Sequence, residues 1–162
     1  FKDILISNSH GGNILAMKQI LDELAPKSKA TLVATTYVEE AGTELSKYLE
    51  DQTGVMHAGE AETSMMLVCE PDLVDMSSID KIASPEGAQN FLSAGQNSYR
   101  WRPFAHMTEN GLSGNPARSN FAKGENMLEV GAEALKKLIL DRETWAVPKD
   151  LRSSQTGDIP FC

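Results

Sequence analysis

Phe1-Lys2-Asp3-Ile4-Leu5-Ile6-Ser7 runs directly into Asn8-Ser9-His10-Gly11-Gly12-Asn13, and this junction decides the fold class. The uninterrupted apolar stretch from Ile4 to Ile6 reads as a buried strand of the parallel kind. Gly-Gly-Asn after it is a tight turn into a helix, with Asn13 as the expected cap. Ile14, Met17, Leu21 and Leu24 then recur at helical spacing, make one apolar face and are closed by Pro26. Ala30 to Thr36 is a second β-rich run, and a helix through Leu45, Tyr48 and Leu49 comes next. Strand, helix, strand and helix in that order predict an α/β fold whose largely parallel sheet is covered by helices.

Beyond Gly54 the chain reaches His57-Ala58-Gly59-Glu60-Ala61-Glu62-Thr63-Ser64 and a predicted helix from about Glu60 to Cys69, stopped by Glu70-Pro71. Residues 72–99 are irregular and rich in Ser, Gly and Asn, the pattern of a long surface connection. A strand is expected over 99–107, a turn-rich loop over 108–116 and a long helix from about Asn120 to Leu140. Leu128, Leu135, Leu138 and Ile139 form the apolar side of that helix. The tail 146–162 is polar and is expected to pack loosely on a single domain covering residues 1–162.

A length of 162 residues with 41% hydrophobic content suffices for one domain with a real core. The net charge of −8 is spread over mixed charges, which argues against nucleic acid and anionic membrane surfaces as partners. No apolar run approaches membrane-spanning length, and Phe1–Asn8 is too short for a signal sequence. Cys69 sits in an apolar helical stretch and reads as a small core residue, while Cys162 ends the chain. Two cysteines make no disulfide framework, so a cytoplasmic, reducing setting is expected.

The chemistry concentrates at the two strand-to-helix junctions, which can converge on one site at the end of a sheet. His10 precedes a glycine turn at a helix start, where Gly11 and Gly12 let a ligand approach the backbone and Asn13 adds a directed polar group. Glu62 shares a helical face with Met65, Met66 and Cys69 and is expected to point at least partly inward. A buried carboxylate needs a cation, a basic partner or a proton. No Lys or Arg lies between Lys47 and Lys81, which leaves a metal or a basic group from far along the chain. Glu60 falls on a different face and reads as the surface carboxylate. His57 is close enough to serve the same site as Glu62, as a ligand or an acid–base group. Thr63 and Ser64 have no activating neighbours and read as packing residues. His106, in the expected strand with Arg102, Phe104 and Met107, is not favoured as a site residue. A hydrolytic metal centre needs about three protein ligands and a two-metal centre more. His10 and Glu62, with His57 as a ligand or an acid–base group and no acidic cluster at ligand spacing near them, make an incomplete set, so further ligands are expected from another chain.

These stretches resemble the creatininase (creatinine amidohydrolase) family. Asn8–Asn13 is similar to its Asn-Gly-His-Gly-Gly-Asn motif, with Ser9 in place of the first Gly, and His57–Ser64 matches its His-Ala-Gly-x-x-Glu-Thr-Ser signature. Pro71 and Val74 fit the family pattern just beyond that signature. Gly111-Leu112-Ser113-Gly114-Asn115-Pro116 resembles the family's Gly-Val-x-Gly-Asp-Pro loop, and Lys123-Gly124-Glu125 its C-terminal helix. The resemblance covers Phe1 to about Leu140. It implies a layered α/β/α, creatininase-like fold with N-terminal strands coming from another chain. It further implies a site with two divalent ions (zinc, manganese or iron) that hydrolyses C–N bonds of small amides or cyclic amides. His10 and Glu62 would be metal ligands, His57 a proton shuttle, and Gly11, Gly12 and Asn13 would meet the substrate. The family's remaining Glu, His and bridging Asp belong to an earlier Glu-x-His-Gly-like segment, expected here on an N-terminal companion chain, with paired chains assembling into a homo-oligomer. Creatininases proper carry Tyr-Glu where this chain has Gly11-Gly12, a form more like relatives acting on formamido-pyrimidines or short peptides. A metallopeptidase and a non-catalytic structural subunit are the alternatives.

Overall fold

The computed structural model describes residues 1–82 and 103–152. The chain forms two compact units, Phe1–Glu40 with Glu133–Cys162, and Ala41–Ala132.

In the first unit β1 (Asp3–Asn8) runs parallel to β2 (Thr31–Thr36), with Asp3 opposite Thr31 and Asn8 opposite Thr36. Parallel neighbours need a crossover, and α1 (Ile14–Leu24) supplies it, packing on β2. Ile14, Met17 and Leu21 form the partly buried stripe of α1 as expected. The stripe passes on to Ala25, and Leu24 is exposed, because the helix end tightens into a 3-10 turn at Ala25–Lys27 around Pro26. The first strand is parallel but not buried: Ile4 and Ile6 are 38% and 39% exposed, whereas Leu5, on the opposite face, is partly covered. A continuous apolar run implies a sheet covered on both sides, and within this unit α1 covers chiefly β2. One helical turn, α2 (Tyr37–Glu40), succeeds β2. Near the far end of the chain, a 3-10 turn at Arg142–Trp145 packs on β2, and Trp145 Nε1 donates to the carbonyl of Ile139 at 2.9 Å.

The second unit begins with α3 (Gly42–Leu45). The helix expected to continue through Tyr48 and Leu49 breaks instead into a 3-10 turn at Ser46–Tyr48, and Leu49 is extended. Ser46 Oγ donates to the Thr43 carbonyl at 2.8 Å, a local side-chain bond that competes with helix continuation. Helix α4 (Glu60–Cys69) and helix α5 (Phe121–Leu140) form where the sequence predicts them. Asn120 caps α5, its Oδ1 accepting from the Lys123 amide at 2.9 Å. Residues 121–132 of α5 belong to this unit and 133–140 to the first.

The two helices meet backbone to backbone within the second unit. A Cβ on Gly124 would lie 2.0 Å from the Ser64 carbonyl oxygen and 2.7 Å from Val68 Cγ2. The buried residues of α4 are therefore Glu60, Ala61, Ser64 and Met65, with Val68 partly covered; of the face expected to turn inward, Met65 is buried and Glu62 partly covered. Met66 and Cys69 are exposed, which corrects the core reading of Cys69. The buried line of α5 is likewise Gly124, Met127 and Gly131, flanked by the partly covered Leu128, Leu135 and Leu138, while Ile139 is exposed. Ala41, Leu45, Ala61, Met65, Leu112 and Met127 make the apolar core of the unit. The strand expected over 99–107 does not form in its described part. Pro103, which has no amide to donate to a ladder, starts a 3-10 turn at Phe104–His106; residues 99–102 lie outside the described residues. Of the connection 72–99, the described part is wound into 3-10 turns at Pro71–Leu73 and Met76–Lys81. Residues 153–162, with Cys162, also lie outside the described residues.

Candidate functional site

His10 stands at the carboxyl end of β1, the end at which open parallel sheets place their ligands. Its side chain is exposed, and Gly11–Asn13 form a 3-10 turn leading into α1. A Cβ on Gly12 would come within 2.7 Å of His10 Nε2, so the glycine leaves the imidazole its place. Asn13 does not cap α1 with its side chain; its Nδ2 donates to Asn8 Oδ1 at 3.2 Å. Asn8 is the organiser of this loop. Its Oδ1 also accepts from the His10 amide at 3.2 Å, and its Nδ2 donates to the His10 carbonyl at 2.7 Å and to Thr36 Oγ1 at 3.1 Å. Thr36, 1% exposed, ties the loop to the end of β2. Thr35 Oγ1 donates to Glu40 Oε1 at 2.6 Å beside it.

His57 lies just before α4 and Glu62 in its first turn, within the second unit. The Ala58 amide donates to Glu62 Oε2 at 2.7 Å, so one oxygen of the carboxylate holds the turn that carries His57. Ala58 has φ +51°, a left-handed conformation that costs a non-glycine residue about 1–3 kcal/mol and concentrates at functional sites. Gly59 packs so tightly on Gly114 that a Cβ on Gly114 would lie 2.5 Å from Gly59 Cα. Gln52 is wedged against both glycines. Its Oε1 accepts from the Asn115 amide at 2.6 Å, and its Nε2 is the buried side-chain nitrogen left without a partner among the described residues. The loop 111–116 thus forms one wall of the His57 turn. The sequence marks this loop by its glycines, its Asn-Pro and its likeness to a family loop, but gives it no role.

Glu60, expected at the surface, is fully buried. Its Oε1 pairs with Lys123 Nζ, which also pairs with Glu50, and its Oε2 accepts from the Glu50 amide at 3.0 Å. The basic group from far along the chain thus exists and serves Glu60. Burial, the largest single influence on Lys123, would lower its ammonium; hydrogen bonds and charge from Glu50 and Glu60 outweigh it and hold the group raised. The hydrogen bond from Lys123 and its charge hold the Glu50 carboxyl below its ordinary value. Ser64, also fully buried, donates to the Glu60 carbonyl at 2.6 Å and accepts from the Asn120 amide at 3.2 Å, a packing role as expected. His106 is exposed at the end of its turn.

His10 and Glu62 are of the donor types that hold divalent ions. Their number falls short: among the described residues no three of His, Cys, Asp and Glu stand together where a metal could be held. None of the helices among the described residues is long and apolar enough to cross a membrane.

The family profile of creatinine amidohydrolase matches residues 1–139. No curated protein sequence matches the chain. Among solved structures, a Bacteroides fragilis NCTC 9343 protein provisionally assigned as a creatinine amidohydrolase is similar at 28% identity and TM-score 0.66, over 94% of this chain and 57% of that one. A manganese creatininase is similar in fold at 23% identity and TM-score 0.60, over 87% and 56%. A creatininase variant of Zn–Zn type gives 23% identity and TM-score 0.59, over 87% and 55%. The chain therefore spans a little over half the length of these solved relatives. The fold is α/β and creatininase-like, and the chain belongs to the creatininase family.

Proposed function

We propose that this chain is the C-terminal part of a metal-dependent amidohydrolase that cleaves a C–N bond other than a peptide bond in a small amide or cyclic amide. The observation that carries the reading is the His57 turn, in which the Glu62 carboxylate binds the amide of the strained Ala58 next to His57, in a chain of the creatininase family. His57 hands a proton to the leaving nitrogen, which turns a poor leaving group into an amine. Glu62 keeps the turn in shape through Oε2 and offers its other oxygen as a ligand. His10 is the second ligand from this chain. Gly11 and Gly12 bring the backbone close to the substrate, and Asn13, anchored on Asn8, orients it. Two divalent ions, zinc, manganese or iron, supply Lewis-acid activation of the carbonyl and of water when bound.

The remaining ligands come from an N-terminal companion chain, and the paired chains assemble into a homo-oligomer in a cytoplasmic setting. One observation supports this: β1 leaves Ile4 and Ile6 uncovered, as a sheet awaiting further layers does. Native mass spectrometry with metal quantification on the assembled protein tests the reading. The expected result is a companion chain with about two ions per pair, and loss of both metal and amide turnover in Glu62→Gln. Metal content and turnover untouched by Glu62→Gln would overturn it.

A further inference from the structure

We propose that Ser113 and Phe104 are positioning residues for the His57 imidazole, and that the loop 111–116 sets the aim of the group assigned above as proton shuttle. The role of the imidazole rests on that assignment; the geometry of the clamp does not.

Both backbone groups of His57 are bound by this loop. Its amide donates to Ser113 Oγ at 3.1 Å, and its carbonyl accepts from the Ser113 and Gly114 amides, each at 3.1 Å. The ring then meets Phe104 edge to face, with centroids 4.9 Å apart and planes at 78°. An aromatic contact of this kind prefers one orientation, because the positive edge of one ring faces the negative face of the other. The next residue, Ala58, is held in its left-handed conformation by the bond from its amide to Glu62. Backbone before and after the side chain, and the ring itself, are thus all constrained. A histidine that only filled space would need none of these three, whereas a proton donor loses rate steeply when misplaced by an ångström.

Ser113 is 7% exposed, so its hydroxyl has little water to replace the bond to His57. Ser113→Ala frees the His57 amide and slackens the turn; Ser113→Thr keeps the hydroxyl. Phe104→Leu keeps an apolar contact and removes the ring, while Phe104→Tyr keeps it. The chain has three histidines, so the imidazole carbon–proton signals in an NMR spectrum of the full chain are assignable by single substitution. Ser113→Ala and Phe104→Leu are expected to displace the His57 signals with those of His10 unmoved, and Ser113→Thr and Phe104→Tyr to return them. In the assembled enzyme, Ser113→Ala is expected to lower kcat on an amide substrate about 10- to 100-fold with KM near that of the parent. His57 signals identical in Ser113→Ala and parent would overturn the proposal. A His57→Asn variant with full turnover would instead remove the proton-shuttle role, leaving the spectra to decide the clamp.

Discussion

The strand-to-helix junction at His10 and the loop-to-helix junction at His57 carry matching ingredients, a histidine beside glycine at a helix start, and the fold treats them in opposite ways. His10 is exposed and its loop hangs on one side chain, Asn8. His57 is bound through both backbone groups, packed on an aromatic ring, and succeeded by a strained residue and a helix anchored by a buried ion pair. On the roles proposed above, the contrast sets a histidine that needs only a preset backbone and access against one whose direction matters. An exposed imidazole can swing onto an ion; a proton donor is held before the substrate arrives.

The contrast breaks most visibly at the anchor of α4. Lys123→Met leaves Glu60 fully buried with its charge uncompensated, and is expected to cost about 3–5 kcal/mol in urea unfolding. A Glu60→Gln, Lys123→Met double variant should recover part of that loss, since the unpaired charge is gone. A loss of under about 1 kcal/mol in the single variant would mean that the pair does not hold the helix.

A smaller effect is expected on the other side of the comparison. Asn8→Ala removes the bonds to His10, Asn13 and Thr36 from a partly exposed position, and is expected to cost about 1–2 kcal/mol. Amide hydrogen exchange should quicken at His10 and Asn13, and stay unchanged at Ala58 and Gly59. Equal quickening at both junctions would erase the distinction between them.

The smallest effect is that of pH on the Glu50–Lys123 contact. Glu50 lies below its ordinary value when folded, so its contribution is present above the unfolded carboxylate value and fades as pH falls through the folded one. Lys123 is raised, so its contribution is present below the unfolded ammonium value and fades as pH rises through the folded one. Unfolding midpoints of Glu50→Gln and the parent are expected to converge in acid and to separate slightly near neutrality. The gap stays small because the Glu50 side chain is largely in water.

The junctions were legible in the sequence and their supports were not, because the supporting partners lie far apart along the chain. The glycine turn, the helical recurrence of Ile14, Met17 and Leu21, and the helix start at Asn120 are properties of a few neighbouring residues, and each forms as read. The face of α4 is different. Met66 and Cys69 suggested one buried side, yet the close approach of α5 at Gly124 buries Glu60 and Ser64 instead. That approach depends on a glycine far along the chain, and no pattern within α4 reports it.

Strand–helix–strand order, the two histidine junctions and the family they mark are local properties, because turn chemistry and apolar periodicity act over a handful of residues. Which glutamate is buried, that Asn8 rather than Asn13 organises the first loop, and that Ser113 and Phe104 hold His57 emerge only from packing. Those outcomes are contacts between distant segments. A buried charge or an unpaired amide is settled by whichever remote group arrives beside it, and Lys123 and Ser113 are the groups that do.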